Sequence, residues 1–214
     1  MLRIREATQD DNEALLGLEA QSPQGTGISI LIDRDDYFYR SRLHERTQVL
    51  IAEEDDRLVG IMAFAIKDVF IDGENDRAAY FYDLRAEPAY RRSMKRGIFR
   101  LWKAASEAME DAGASLIYGH VKADNFDSMN VTTKVGGQAL ATFHVLSLPS
   151  LRGQWTGLNP HLEDLDAEVE KIRIAVASRN LVPVDFPVAY RRGAELGYLA
   201  GIFRVERGGS SAQV

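Results

Sequence analysis

The sequence contains no cysteine. Disulfides, thiolate-ligated metals and a cysteine nucleophile are thereby excluded, and the cytoplasm is the expected compartment. No apolar run approaches the ~20 residues that span a bilayer, so no membrane partner is expected. Met1-Leu2-Arg3-Ile4-Arg5 alternates apolar and basic residues, which marks a strand and not a signal peptide. There is no basic tail, and the net charge is −6. That balance disfavours nucleic acid and is compatible with a cationic amine substrate. The histidines at 44, 120, 144 and 161 lack metal-site spacing, so no metal is expected. His44 and His161 read as surface residues. Internal repeats and low-complexity segments are also missing.

What is present is an ordinary globular composition, 45% hydrophobic and 27% charged over 214 residues. Leu2 to Ala7 reads as a strand. Thr8 follows as an N-cap, with Asp10 and Asp11 in the first turn of a helix carrying Leu15, Leu16 and Leu18. A second helix is expected over Asp33 to His44. Strands are expected over Gln48 to Glu53, Leu58 to Ile66 and Ala78 to Ala86, with turns at Asp55-Asp56-Arg57 and at 72–76. Met94, Ile98, Leu101, Trp102, Ala105 and Met109 recur at helical spacing and predict the longest helix, stopped by Gly113. A strand at Ser115 to Val121, a short helix at Phe126 to Val135 and a strand at Leu140 to Leu148 complete the pattern. This order predicts a mixed α/β (α+β) fold whose sheet is flanked by helices, with a parallel pair around the long helix.

Beyond 148 the pattern is harder to read. His161 to Arg179 reads as an amphipathic helix, and Gly197 to Val205 as a strand. The expected organisation is a core over 1–148. Residues 149–214 then form a helical insertion whose last strand (197–205) completes the sheet, or an arm packed on a second subunit in a homodimer.

The chemistry concentrates between Tyr82 and Gly137. Arg91, Arg92, Lys95, Arg96 and Arg100 crowd the N-terminus of the long helix, where basic side chains oppose the helix dipole. A bound polyanion recovers that cost, because the terminus also offers unpaired N–H groups. A solvated basic turn paired with acids is the plain alternative. Asp83, near the end of its strand, is either a general base or a structural carboxylate. His120, at the C-terminal end of its strand, is a second candidate base. Asn125 stands where an N-cap belongs.

A strand ending Asp83-Leu84-Arg85-Ala86, then Pro88-Ala89-Tyr90-Arg91, a basic loop and a long helix, resembles the acetyl-CoA motif of the GNAT N-acyltransferases. The Ser115 to Val121 strand, Asn125, the short helix and Gly136 resemble that family's next segment. The loop departs from the family's Arg/Gln-x-x-Gly-x-Gly/Ala: it reads Arg92-x-x-Lys95-x-Gly97, or Arg91-x-x-Met94-x-Arg96. Thr132 stands at the position where many members carry a general-acid Tyr. A Thr hydroxyl is a weak acid, which leaves water, another Tyr or the ammonium product to protonate the thiolate.

The resemblance implies a mostly antiparallel GNAT-like sheet with a splayed parallel pair, and acetyl-CoA as acyl donor. The pyrophosphate is expected on Arg91, Arg92, Ser93, Met94, Lys95, Arg96, Gly97 and Ile98. The pantetheine arm is expected along Leu84, Arg85 and Ala86, with Asn125 and Ser128 opposite. An amine on a small molecule or peptide, deprotonated by Asp83, His120 or water, then attacks the thioester directly, with an N–H near Leu84 holding the oxyanion. The alternatives are a non-catalytic CoA-binding or assembly module, and an acyltransferase with a longer acyl donor or a non-amine acceptor.

Overall fold

The computed structural model describes residues 1–25, 34–88, 95–142, 159–176, 179, 181–184, 186–196, 203–207 and 210–213. Its main sheet holds β1 (Leu2–Glu6), β2 (Arg46–Glu54), β3 (Arg57–Ile71), β4 (Glu74–Ala86) and β5 (Leu116–Gly119), in that order. Pairings are antiparallel from β1 to β4, and β5 joins β4 in parallel. α1 (Asn12–Gln21) covers one face and α2 (Lys95–Asp111) the other; α3 (Phe126–Lys134) follows β5.

Local chemistry accounts for the hairpins. Asp55 and Asp56 both have positive φ, as do Asp72 and Gly73. Two consecutive positive-φ residues make the type I′ turn that matches strand twist, and Asp-Gly suits it best. The turn expected over 72–76 is therefore only two residues long, and β3 and β4 pair right up to it. β3 lies between β2 and β4 and is buried from Val59 to Lys67, which explains its continuous apolar run.

Each face of the sheet has its own core. Leu101, Ala105 and Met109 of α2, four residues apart, pack on Leu50, Met62, Phe64 and Ile66. Leu15 and Leu18 of α1 pack with Tyr37 on Val49, Ile51, Ile61 and Ala63. α2 ends in a Schellman arrangement: Gly113 N–H donates to Glu110 O at 2.7 Å, and Ala114 N–H to Met109 O at 3.0 Å.

The helix expected over Asp33 to His44 is replaced, from Arg34 onward, by two 3-10 turns, Tyr37–Tyr39 and Ser41–Leu43. Polar side chains win the backbone there. Asp36 accepts from Phe38 N–H at 2.9 Å, and Asn12 bonds both Tyr37 N–H and Asp35 O at 2.8 Å.

Residues 140–142 are not strand, and the rest of the strand expected at Leu140 to Leu148 lies outside the described residues. Residues 197–202 also lie outside them. The strand expected there is seen as β8 (Phe203–Arg207). It does not extend the main sheet: it pairs with β6 (Asn159–Leu162) and β9 (Ser210–Gln213) in a second sheet. Among the described residues, β7 (Val182–Pro183) joins the main sheet from the tail, against the β3 extension beyond the end of β2. The amphipathic stretch 161–179 gives α4 (Leu165–Val176), which packs on α5 (Phe186–Glu195).

Arg5 ties β1 to the start of α1 and to β2. Its Nη atoms meet both Asp11 oxygens at 2.7 and 2.8 Å, and its Nε and Nη2 meet Glu53 at 3.1 and 2.5 Å. The bond to Arg5 holds the Asp11 carboxyl well below the usual carboxylate range. A depressed folded pKa contributes stability above the unfolded value of about 4, and this is lost as pH falls. Asp11→Asn should therefore cost about 1–2 kcal/mol at pH 7, and the gap from the parent should begin to narrow as pH falls below about 4. Denaturant melts between pH 7 and 3 measure it.

Candidate active site at the divergence of β4 and β5

The parallel pairing of β4 and β5 runs from Ala78–Leu116 to Phe81–Gly119 and stops there, while β4 continues to Ala86. Gly119 marks the end. A Cβ on it would fall 2.4 Å from the Phe81 ring and 2.8 Å from the Phe81 carbonyl, so only glycine fits the last pair. The β5-facing edge of Tyr82 to Arg85 is thus left out of the ladder and can accept an extended partner.

A register shift sits at the same place. Asp83 opposes Ala63 and Phe81 opposes Phe64, so Tyr82 is the extra residue of a β-bulge. Simple alternation puts Asp83 on the face opposite Tyr80 and Tyr82. The bulge corrects this: Phe81 and Leu84 pack on the α2 side, whereas Tyr82, Asp83 and Arg85 all face α1.

Asp83 is 3% exposed. Its Oδ2 accepts from the Tyr37 hydroxyl at 2.9 Å and its Oδ1 from Arg85 Nε at 2.8 Å. Burial raises its pKa above the ordinary carboxylate value, against the opposing pull of Arg85. Arg85 also donates to Ser22 O at 2.8 Å and to Glu19 Oε1 at 3.0 Å, so its guanidinium closes the C-terminal end of α1. That side chain therefore points away from the strand edge where a cofactor role was expected; only its backbone lies there. The Ala86 carbonyl, also expected at the cofactor, accepts from the Ser22 hydroxyl at 3.0 Å. Leu84 is half-buried on the α2 core.

The α1-side face also carries an aromatic wall. Tyr80 packs with Tyr118 across the strand pair at 5.2 Å between centroids, with Tyr82 at 6.0 Å and with His120 at 5.5 Å. His120 is exposed just past the end of β5, and its Nδ1 lies 3.3 Å from the Tyr80 hydroxyl. His44 is no surface residue: it is half-buried, 5.7 Å from Tyr82 and 6.2 Å from Tyr80. Burial raises the Tyr80 and Tyr82 hydroxyl pKa values, which keeps both protonated near neutrality. Ser41 Oγ sits 2.9 Å from the Tyr82 hydroxyl.

Asn125 caps α3, its Oδ1 accepting from Ser128 N–H at 3.2 Å. Thr132 lies about two turns further along α3, half-buried, with its carbonyl taken by Gly137 N–H at 2.9 Å. The segment after α1 reaches this region: Gly25 comes so near Asp124 that a Cβ would lie 2.3 Å from Oδ1. At the other end of the cleft, α2 begins at Lys95, Gly97 is buried in its first turn and Ile98 packs on the core. Arg91, Arg92, Ser93 and Met94 lie outside the described residues, as do the side chains of Lys95 and Arg96.

Residues 3–124 match the family model of a GNAT acetyltransferase domain, and the chain belongs to that family. Solved structures share the fold. A Bacillus halodurans protein described as a transcriptional regulator aligns with a TM-score of 0.57 at 18% identity, over 69% of this chain and all of that one. The aminoglycoside 6'-N-acetyltransferase AAC(6')-IG of Acinetobacter haemolyticus aligns with a TM-score of 0.54 at 16% identity, over 69% of this chain and 98% of that one. AAC(6')-Iy, in complex with a CoA-containing bisubstrate analogue, gives 0.54 and 16%, over 70% and 99%. At such identities the likeness is one of fold. A comparison with curated protein sequences gives no significant match.

Removing the Asp83 carboxylate leaves the buried Arg85 guanidinium with the Glu19 carboxylate and the Ser22 carbonyl. Asp83→Ala should cost about 3–5 kcal/mol, seen as a fall in Tm of roughly 2–4 °C per kcal/mol for a chain of this size. Ser41→Ala, at the half-buried Tyr82 contact, should lower Tm far less in the same melts.

Proposed function

We propose that the chain is an acetyl-CoA-dependent N-acetyltransferase acting on an amine in a ternary complex. The observation that carries this reading is the divergence of β4 from β5 at Phe81–Gly119, at the sheet end toward which α2 presents its N-terminus. The residues present fit the donor. The ladder edge of Tyr82 to Arg85 takes a pantetheine arm as an added strand. The α2 N-terminus, with buried Gly97, takes the pyrophosphate on unpaired N–H groups. The solved structure of AAC(6')-Iy with a CoA conjugate supports the same donor.

Acetyl-CoA supplies an acyl thioester. The acceptor nitrogen forms a bond to the acyl carbon as the carbon–sulfur bond breaks, and the chain must remove the ammonium proton beforehand. Of the two candidate bases, His120 is better placed: it is exposed at the end of β5, whereas both oxygens of buried Asp83 are engaged. His120 acts at Nε2, in the tautomer whose Nδ1–H donates to the Tyr80 oxygen. Asp83 instead holds the bulge that aims β4. The Leu84 N–H is the oxyanion donor in this reading. Thr132 lacks the acidity to protonate the thiolate, so water or the product ammonium supplies that proton.

Acetyl-CoA at 100 times its dissociation constant should stabilise the fold by about 2.7 kcal/mol. His120→Ala should keep that shift and lose about 100-fold or more in kcat at neutral pH, partly recovered at high pH where the amine is already neutral. Thiol release with a panel of polyamines, aminoglycosides, amino acids and peptides measures the rate. No thermal shift at millimolar acetyl-CoA would overturn this reading and favour a non-catalytic assembly module instead.

A further inference from the structure

Among the described residues of the α1-side face, Arg34 is a charged side chain that burial leaves chemically incomplete. Its side chain is 9% exposed. One nitrogen, Nη2, donates to Glu19 Oε2. Nε and Nη1 are buried, and neither has a hydrogen-bond partner. Two aromatic rings flank the guanidinium: Cζ lies 4.4 Å from the Tyr39 ring centroid and 5.3 Å from that of Tyr37. Cation–π attraction recovers part of the desolvation cost but satisfies no N–H donor.

The surrounding charges are unbalanced in the same sense. Glu19 and Asp83 face the three guanidiniums of Arg34, Arg85 and Arg40. One of the two carboxylates, Asp83, is pushed toward its neutral form by burial. A polycation is repelled from such a place, whereas an oxyanion completes it. Position points the same way. Glu19 bridges Arg34 and Arg85, so the incomplete guanidinium sits one carboxylate away from a side chain of β4, on the α1 side of the sheet where β4 outruns β5.

We propose that Arg34 is the recognition site for a carboxylate on the acceptor, so that the enzyme acetylates amines that carry an acid group, namely amino acids or acidic peptides. This rests on the acetyltransferase reading and names its substrate class. The Tyr39 ring is the cover: its hydroxyl is held by Arg40 Nε at 2.9 Å, and it moves aside when the carboxylate takes the Nε and Nη1 donors. Tyr37, fixed through Asp83, stays as the floor.

The test uses matched pairs with the unmodified protein and saturating acetyl-CoA. Histidine is compared with histamine, tyrosine with tyramine, lysine with cadaverine, and C-amidated peptides containing Glu with those containing Gln. The amino-acid pairs and the peptide pairs distinguish a free amino acid from a peptide side chain as the source of the carboxylate. In at least one pair, thiol release should show kcat/KM about 10- to 100-fold higher for the carboxylated member. Arg34→Gln should erase that preference through KM while the acetyl-CoA thermal shift stays. Arg34→Lys, which keeps a cation beside Glu19 but not the guanidinium donors, should weaken it as well and guards against a folding defect. Equal rates within every pair, faster decarboxylated members, or no turnover of any carboxylated member despite a normal acetyl-CoA shift each overturn the inference. A missing acetyl-CoA shift overturns the acetyltransferase reading beneath it.

Discussion

A buried carboxylate on a bulged strand organises this protein. Asp83 lies where one extra residue in β4 turns two consecutive side chains to the same face. Its two oxygens bind Tyr37 from the turn after α1 and Arg85 from its own strand. Arg85 then reaches Glu19 and the carbonyl of Ser22, which fixes the end of α1 over β4. A charge this buried is tolerated only when paired and hydrogen-bonded. The pairing thus locks together the bulge, the helix and the strand end at which β4 leaves β5 behind.

The divergence of the two strands follows from side-chain volume as much as from backbone. Phe81 fills the space a Cβ at 119 would need, and the ladder ends at that pair. Beyond it, β4 offers main-chain groups on one edge and a mixed polar and aromatic face toward α1. Tyr80, Tyr82, Tyr118, His44 and His120 line that face, and Arg34 lies deeper, behind Glu19 and the Tyr39 ring.

Much of this was legible in the chain. The apolar run of β3 announced a strand, and the 3.6-residue periodicity of α2 announced its buried stripe. Asn125 was readable as a cap because its preference is local. The misreadings have physical causes. The segment after Arg34 has helical composition, but Asn12 and Asp36 compete for its backbone, and Asn12 is distant in sequence. The face of Asp83 was not legible, because simple alternation puts it opposite Tyr80 and Tyr82 and a bulge has no composition signal. His44 looked like a surface residue because nothing local shows that Tyr80 and Tyr82 will fold against it.

By itself, then, the sequence determined the order of elements from β1 to α3 apart from the segment after Arg34, with their turns and helix ends, because those depend on propensity and on partners within a few residues. It also pointed the proposed chemistry to the stretch between Tyr82 and Gly137. Tertiary structure alone decided which candidate base is engaged and which is exposed, that Arg85 serves α1, and that Arg34 is buried with donors unmet. Those outcomes depend on contacts between residues tens of positions apart, and a strand register shifted by one residue changes them all.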